Sequence, residues 1–244
     1  MEQQLWFTAI LNRLLGGPVT ALLQALGIPP ESPEHPIPNY VSMQVLVVLI
    51  IMVLLLVVRR RLSVDRPGKL QQVMEMLVEG IGAQAEEIIG HGGKQFVPLL
   101  FTLGIFIFLC NVLGMIPTLE TPTSEIFVTV GCAMAALLYY HYWGIRHHGV
   151  FGYLRTFMGS VLAIGPLMLV IELVSHLARG LSLSVRLWAN MVAGQNISLI
   201  FMTLVPLAVP VVFEGLHLFV GLLQAYIFVL LTMVYLAGAV SEEH

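Results

Sequence analysis

Glu172-Leu173-Val174-Ser175-His176-Leu177-Ala178-Arg179-Gly180-Leu181-Ser182-Leu183-Ser184-Val185-Arg186-Leu187-Trp188-Ala189-Asn190 lies in the middle of 161–204, a stretch with no hydrophilic loop. As one helix that stretch is about 66 Å long at ~1.5 Å per residue, roughly twice a ~30 Å hydrocarbon core. Two foldings satisfy the length. One is a pair of spans with a buried turn near Arg179-Gly180; the other is a single helix, steeply tilted. With Arg186 at zero and ~100° per residue, Glu172 falls at about 40°, Ser175 at about −20°, Arg179 at about 20°, Ser182 at about −40° and Asn190 at about 40°. His176 sits at the edge, at about 80°. A buried turn would not keep one phase through both halves, so the spacing predicts a helix running through Gly180.

The same stretch holds two guanidinium groups, which cannot shed their protons. Placing one near the bilayer centre costs about 3 kcal/mol on insertion scales. The other nine of the 11 Lys and Arg residues fall in loops, flanks or the N-terminal segment. Arg179 and Arg186 therefore mark where function is sought. As a purely structural charge, Arg186 would need an acidic partner, and Glu172 is four turns away.

Outward from this stretch the chain reads as an all-α membrane protein. It is 58% hydrophobic and only 10% charged, against about 25% charged in soluble domains. Residues 1–39 form an N-terminal surface segment and a Pro-rich linker. Within them, 5–15 and 19–28 are apolar but too short to span, and Gly16-Gly17-Pro18 is expected to break them. No cleavable signal is read, since Met1–Phe7 has Glu2 and no early basic residue. Residues 40–244 form a polytopic membrane domain. It is expected to contain about three transmembrane helices (40–58, 96–116 and 126–143), an amphipathic surface helix at 70–89, and a long C-terminal hairpin at 161–240. Pro206 and Pro210 mark the turn of that hairpin, and 144–160 is expected to be a loop.

Arg59, Arg60, Arg61, Arg66, Lys69, Lys94, Arg146 and Arg155 fall on one side if the spans alternate. The positive-inside rule makes that side cytoplasmic and puts the N-terminus outside. Cys110 and Cys132 lie in apolar runs and imply packing, not a disulfide framework. No phosphate-binding loop, HExxH, CxxC or GxSxG is present. Asn196-Ile197-Ser198 is an acceptor pattern inside an apolar run, and no internal repeat is seen.

The second arm of the hairpin repeats the polar stripe. With His217 at zero, Glu214 is at about 60°, Gly221 at about 40°, Gln224 at about −20° and Tyr235 at about 0°. Two such stripes, facing each other, can hydrogen-bond and admit water. Three other functions fit part of the pattern. A proton-coupled transporter also buries Arg, Glu and His, but many show two related halves. A bis-histidine haem protein would use His141, His176 and His217, but has no role for the arginines. A purely structural subunit has no reason to bury Arg186.

Ser182-Leu183-Ser184-Val185-Arg186-Leu187-Trp188-Ala189-Asn190-Met191-Val192-Ala193-Gly194 resembles the SLxxRLxxNMxAG segment of the a subunits of rotary ATP synthases. Gln224-Ala225-Tyr226-Ile227-Phe228-Val229-Leu230-Leu231-Thr232-Met233-Val234-Tyr235-Leu236 is similar to that family's final helix. The resemblance extends to Asn111–Pro117 and Ser241–His244, and covers most of 40–244 in order.

The resemblance implies a stator of a bacterial plasma-membrane proton path, beside a rotating ring of c subunits that carry mid-membrane carboxylates. It also implies peripheral-stalk b subunits, a catalytic head elsewhere in the complex that does the ATP chemistry, and no cofactor, metal or nucleic acid. Arg186 would face the ring. Asn190, His217, Gln224 and Glu214 would line an outer half-channel. Glu172, Ser175, His176 and Ser182 would line a cytoplasmic one, with Arg179 near its exit. Where many bacterial members have Glu after the Ala-Gly pair, this chain has Gln195. Glu214, one turn before His217, is the expected substitute. Gln195 lies about 180° from Arg186 and is expected to face the second arm.

Overall fold

The computed structural model describes residues 5–27, 36–116, 119–158, 165–204 and 209–240, and among them every regular element is helical. The helices are α1 (Trp6–Ala25), α2 (Asn39–Arg60), α3 (Lys69–Ile89), α4 (Val97–Leu113), α5 (Ile126–Met158), α6 (Gly165–Leu204) and α7 (Val209–Val240). Five segments are long and apolar enough to cross a membrane: Asn39–Arg60, Gly93–Leu113, Ile126–Tyr153, Leu167–Thr203 and Val211–Val240. The sequence counts about three spans beside the hairpin; with both arms, the described residues hold five such segments.

α6 is continuous through Gly180, as the phase of the stripe predicts. At about 60 Å for 40 residues it fits a ~30 Å core only when steeply tilted. α6 and α7 run antiparallel. From one end to the other, Arg179 meets Tyr235, Asn190 meets Gln224, Gly194 meets His217 and Phe201 meets Phe213. Pro206 and Ser241–His244 lie outside the described residues; Pro210 falls in the first turn of α7, where a missing N–H costs nothing.

Three sequence expectations are corrected. Gly16-Gly17-Pro18 does not break the chain: α1 is one helix of 20 residues with Pro18 inside it. Pro18 cannot bond the Leu14 carbonyl, but the Thr20 hydroxyl donates to the Gly16 carbonyl at 2.8 Å and supports that turn. Second, 144–158 is not a loop. α5 continues to Met158 and bends at Gly149 (φ 70°, ψ 165°), a conformation that costs glycine little. Third, the hydrogen bond of the Gln195 side chain is not to the second arm. Its Nε2 donates to Thr121 Oγ1 at 2.6 Å, in the α4–α5 connection.

The core forms where α4, α5, α6 and α7 meet. Leu183 and Leu187 of α6 pack with Ala133 and Ala136 of α5, Ile107 of α4 and Phe228 of α7. Small residues set the approach: a Cβ on Gly180 would lie 2.7 Å from Leu137, and one on Gly104 3.0 Å from Val229. α2 packs on α4 through Met43, Val47 and Ile51. α1 lies against the start of α2, where Thr8 and Ser42 pair and the Asn12 side chain bonds both backbone groups of Ile37. α3 lies against α4 and α7. Gln84 Nε2 donates to the Tyr226 hydroxyl at 2.8 Å, and Glu86 pairs with Lys94 at 3.1 Å.

Candidate functional site

Most exposed residues of α6 lie on one side of the helix. Ser182, Val185, Ala189 and Ala193 are all exposed, and they fall between about −20° and about −100° on the wheel that sets Arg186 to zero. Arg186 stands on the edge of this open face. It is exposed, and Nη2 donates to Ser182 Oγ at 3.5 Å. Among the described residues no carboxylate pairs with it; the ion pairs of this part of the chain involve Glu172 instead.

The stripe turns inward at both ends. About two turns toward the C-terminal end of α6 lies a polar cluster shared with α7. Asn190 Nδ2 donates to Gln224 Oε1 at 2.8 Å. His217 is buried, and its ring fills the space left by the missing side chain of Gly194. A Cβ there would lie 2.8 Å from His217 Cε1 and 2.9 Å from Nε2. Four buried polar atoms in this region have no hydrogen-bond partner among the described residues: Ser198 Oγ, Glu214 Oε2, His217 Nε2 and Gln224 Nε2. Buried polar atoms are almost always paired with protein or ordered water.

α4 supports this cluster from behind. Asn111 is buried, donates to the Gly221 carbonyl at 3.1 Å and accepts from Thr123 Oγ1 at 2.8 Å. Thr121 fits against Gly114 and receives Gln195. The sequence reading gave Thr121 and Thr123 no role. Their signal was only a run of hydroxyls in a connection without Lys or Arg.

The other cluster lies toward the N-terminal end of α6 and includes α5. Glu172 Oε1 is 3.2 Å from His176 Nε2 and 3.6 Å from Arg179 Nη2. Arg179 also lies over the Tyr235 ring of α7 at 5.6 Å. The Tyr140 hydroxyl is 2.6 Å from His176 Nδ1, and Tyr153 is 2.8 Å from His141 Nδ1. Ser175 is half-buried beside them, and Ser182 is exposed. Glu172, His176 and Arg179 are thus brought together, Asn190 meets Gln224 and His217 packs on Gly194; Glu214 is one turn before His217 on α7, and Gln195 bonds Thr121. Tyr140 and Tyr153 were missed, because aromatics at the end of an apolar run read as interface anchors.

Comparison with known proteins then decides the family. The family model described as ATP synthase A chain matches residues 41–237. The chain is 48% identical to ATP synthase subunit a of Koribacter versatilis (strain Ellin345) over 244 residues, all of both chains. It is 48% identical to ATP synthase subunit a of Solibacter usitatus (strain Ellin6076) over 235 residues, 96% of this chain and all of that one. It is 38% identical to ATP synthase subunit a of a Sulfurihydrogenibium species over 207 residues, 84% of this chain and 99% of that one.

The chain belongs to the ATP synthase A chain family. A member of that family is a membrane subunit of proton-driven ATP synthesis and is not itself the catalytic subunit.

Proposed function

We propose that this chain is the stator of a rotary proton path, with Arg186 as the fixed charge that separates two half-channels. The observation that carries the reading is the placement of Arg186: a permanent cation on the open face of a membrane-length helix, between two polar clusters. At ~1.5 Å per residue, Arg179 and Gly194 lie about 10 Å and about 12 Å along the axis on either side of it. A ring of c subunits turns against that open face. As each ring carboxylate passes, Arg186 draws it into its ionised form. Protons cannot hop past the guanidinium, so they ride the ring.

Asn190, Glu214, His217 and Gln224 form the outer half-channel, and Asn190–Gln224 ties the two arms together beside Arg186. Glu172, Ser175, His176 and Ser182 form the cytoplasmic one, with Arg179 near its exit. Residues 40–244 act as one membrane domain in the bacterial plasma membrane, with the N-terminus outside and the basic loops and the C-terminus cytoplasmic. Peripheral-stalk b subunits hold the chain still, and the catalytic head does the ATP chemistry.

A disulfide tests the ring face directly. Ala189→Cys, one turn from Arg186 on the open side, is expected to cross-link to a cysteine on the outer helix of a ring subunit in the assembled complex. Leu187→Cys, buried in the core, is expected not to, because a disulfide needs Cα atoms within about 7 Å. Cross-linking at 187 and not at 189 would place the ring on the wrong side of α6.

Glu214 supplies the carboxylate that Gln195 lacks. It lies one turn from His217, whose ring packs on Gly194, the residue that precedes Gln195. Glu214→Gln is expected to cut ATP-driven pumping by about 100-fold, the lower end of what a positioned proton-transfer group contributes. Adding Gln195→Glu to that variant is expected to restore much of the rate. Wild-type pumping in Glu214→Gln vesicles, followed by quenching of a pH-sensitive dye, would show that Glu214 is not the replacement.

A further inference from the structure

The cytoplasmic cluster contains more chemistry than a polar stripe needs. Beyond the bend at Gly149, α5 folds its last residues, 150–158, back over α6. Gly144 permits this, because any side chain there would occupy the position of the Tyr153 ring. The returning segment brings Phe157 face-on to His176, with ring centroids 4.8 Å apart and planes at 28°. The His141 ring lies 4.8 Å from His176 on another side, and Tyr140 stacks at 5.6 Å while its hydroxyl reaches Nδ1. His176 is therefore buried in a box of rings. Its Nε2 emerges toward Glu172, at 3.2 Å.

This arrangement fixes what the imidazole can do. A tyrosine hydroxyl can accept a hydrogen bond from Nδ1–H, which leaves the Nε2 lone pair facing the carboxyl. We infer that Glu172 and His176 form a single-proton station on the cytoplasmic side, and that Tyr140 is the residue that positions it. In one state Glu172 is a neutral carboxylic acid donating to Nε2 of a neutral imidazole. In the other the proton has crossed: the O–H bond is broken, an Nε2–H bond is formed, and a carboxylate faces an imidazolium. Charge and atoms balance, and Nδ1–H stays on the Tyr140 oxygen throughout.

Arg179, 3.6 Å from the same carboxylate oxygen, favours the second state through Glu172 and opposes it through the imidazolium. The titratable and charged groups around His176 are thus Glu172 and Arg179 on α6, Tyr140, His141 and Tyr153 on α5, and Tyr235 of α7 beyond Arg179. Tyr140 occupies Nδ1 and Glu172 faces Nε2, so exchange runs through Glu172, which is half-buried.

The inference rests on the reading of this chain as a proton stator, and the test separates the two. Membrane vesicles carrying the whole complex are stripped of the catalytic head. Passive proton conductance is measured while pH is varied on the stripped face. Tyr140→Phe keeps the ring and deletes only the hydroxyl. It is expected to lower conductance by about 3- to 10-fold, the scale of one buried hydrogen bond, and to move the pH midpoint of conductance on that face. His176→Gln is expected to abolish that midpoint, and Tyr140→Phe added to it is expected to change nothing further. Tyr153→Phe, which deletes a hydroxyl–imidazole bond at His141 instead, is expected to keep the wild-type midpoint.

A wild-type pH profile in Tyr140→Phe, or a further loss when it is added to His176→Gln, overturns the inference. If Tyr140→Phe fails to assemble, the midpoint in His176→Gln decides alone: its loss supports the station, its persistence overturns it. An Arg186→Ala complex that still pumps would instead overturn the stator reading itself.

Discussion

Gly194→Val leaves the complex assembled and lowers its proton conductance by about 10- to 100-fold, because a misplacement of a working group by about 1 Å costs on the order of 100-fold. The cause is local. At position 194 even a Cβ would stand 2.8, 2.9 and 3.0 Å from three atoms of the His217 ring, closer than side-chain carbons approach. A branched side chain there has to push the His217 ring from its present place or spread the two arms apart. Overpacking of this kind costs about 1–3 kcal/mol, which a hairpin held by α4 and α5 can absorb without coming apart. Gly194→Ala is expected to give a smaller loss in the same direction. Conductance through head-stripped vesicles checks both. Wild-type conductance in Gly194→Val would mean that the position of His217 does not matter to the path.

What the sequence made legible follows from periodicity. One phase of polar residues across Gly180 leaves little room for a turn, and α6 is accordingly one helix. The amphipathic pattern of 70–89 places α3 beside the spans and not among them. The charge pattern misled at 144–160: Arg146, His147 and His148 look like a loop, yet they continue α5 up to a glycine bend. Charged residues at the end of an apolar helix read the same whether the chain unwinds or runs on.

The wheel also failed for Gln195. It gives a direction around α6 but not what stands there, and the α4–α5 connection supplies the bonding partner expected from α7. The pairing of Tyr140 with His176 depends on how α5 crosses α6, which no single-helix pattern contains. Arg186 was legible for the opposite reason. A guanidinium in a membrane-length apolar stretch needs an explanation from sequence alone, and the exposed face beside it leaves that explanation to a partner.

The largest effect is expected at Arg186 itself. An adjacent cation lowers a carboxylate pKa by about 1–3, so removing it cuts the ratio of ionised to protonated forms of a passing ring carboxylate by about 10- to 1,000-fold. Its loss also opens the barrier between the clusters around Glu172 and His217. Arg186→Ala removes a side chain that packs little against the rest of the chain, since it lies on the open face; the complex should therefore still assemble. Lys is a poor substitute, because a desolvated ammonium can give up its proton and a guanidinium does not.

The measurement is made on inverted membrane vesicles from cells whose only copy of this chain carries Arg186→Ala, after assembly has been verified. ATP-driven acidification and passive proton leak are followed in the same sample. No acidification from an assembled complex, with leak at or above the wild-type level, is the predicted result; acidification at the wild-type rate would contradict the account.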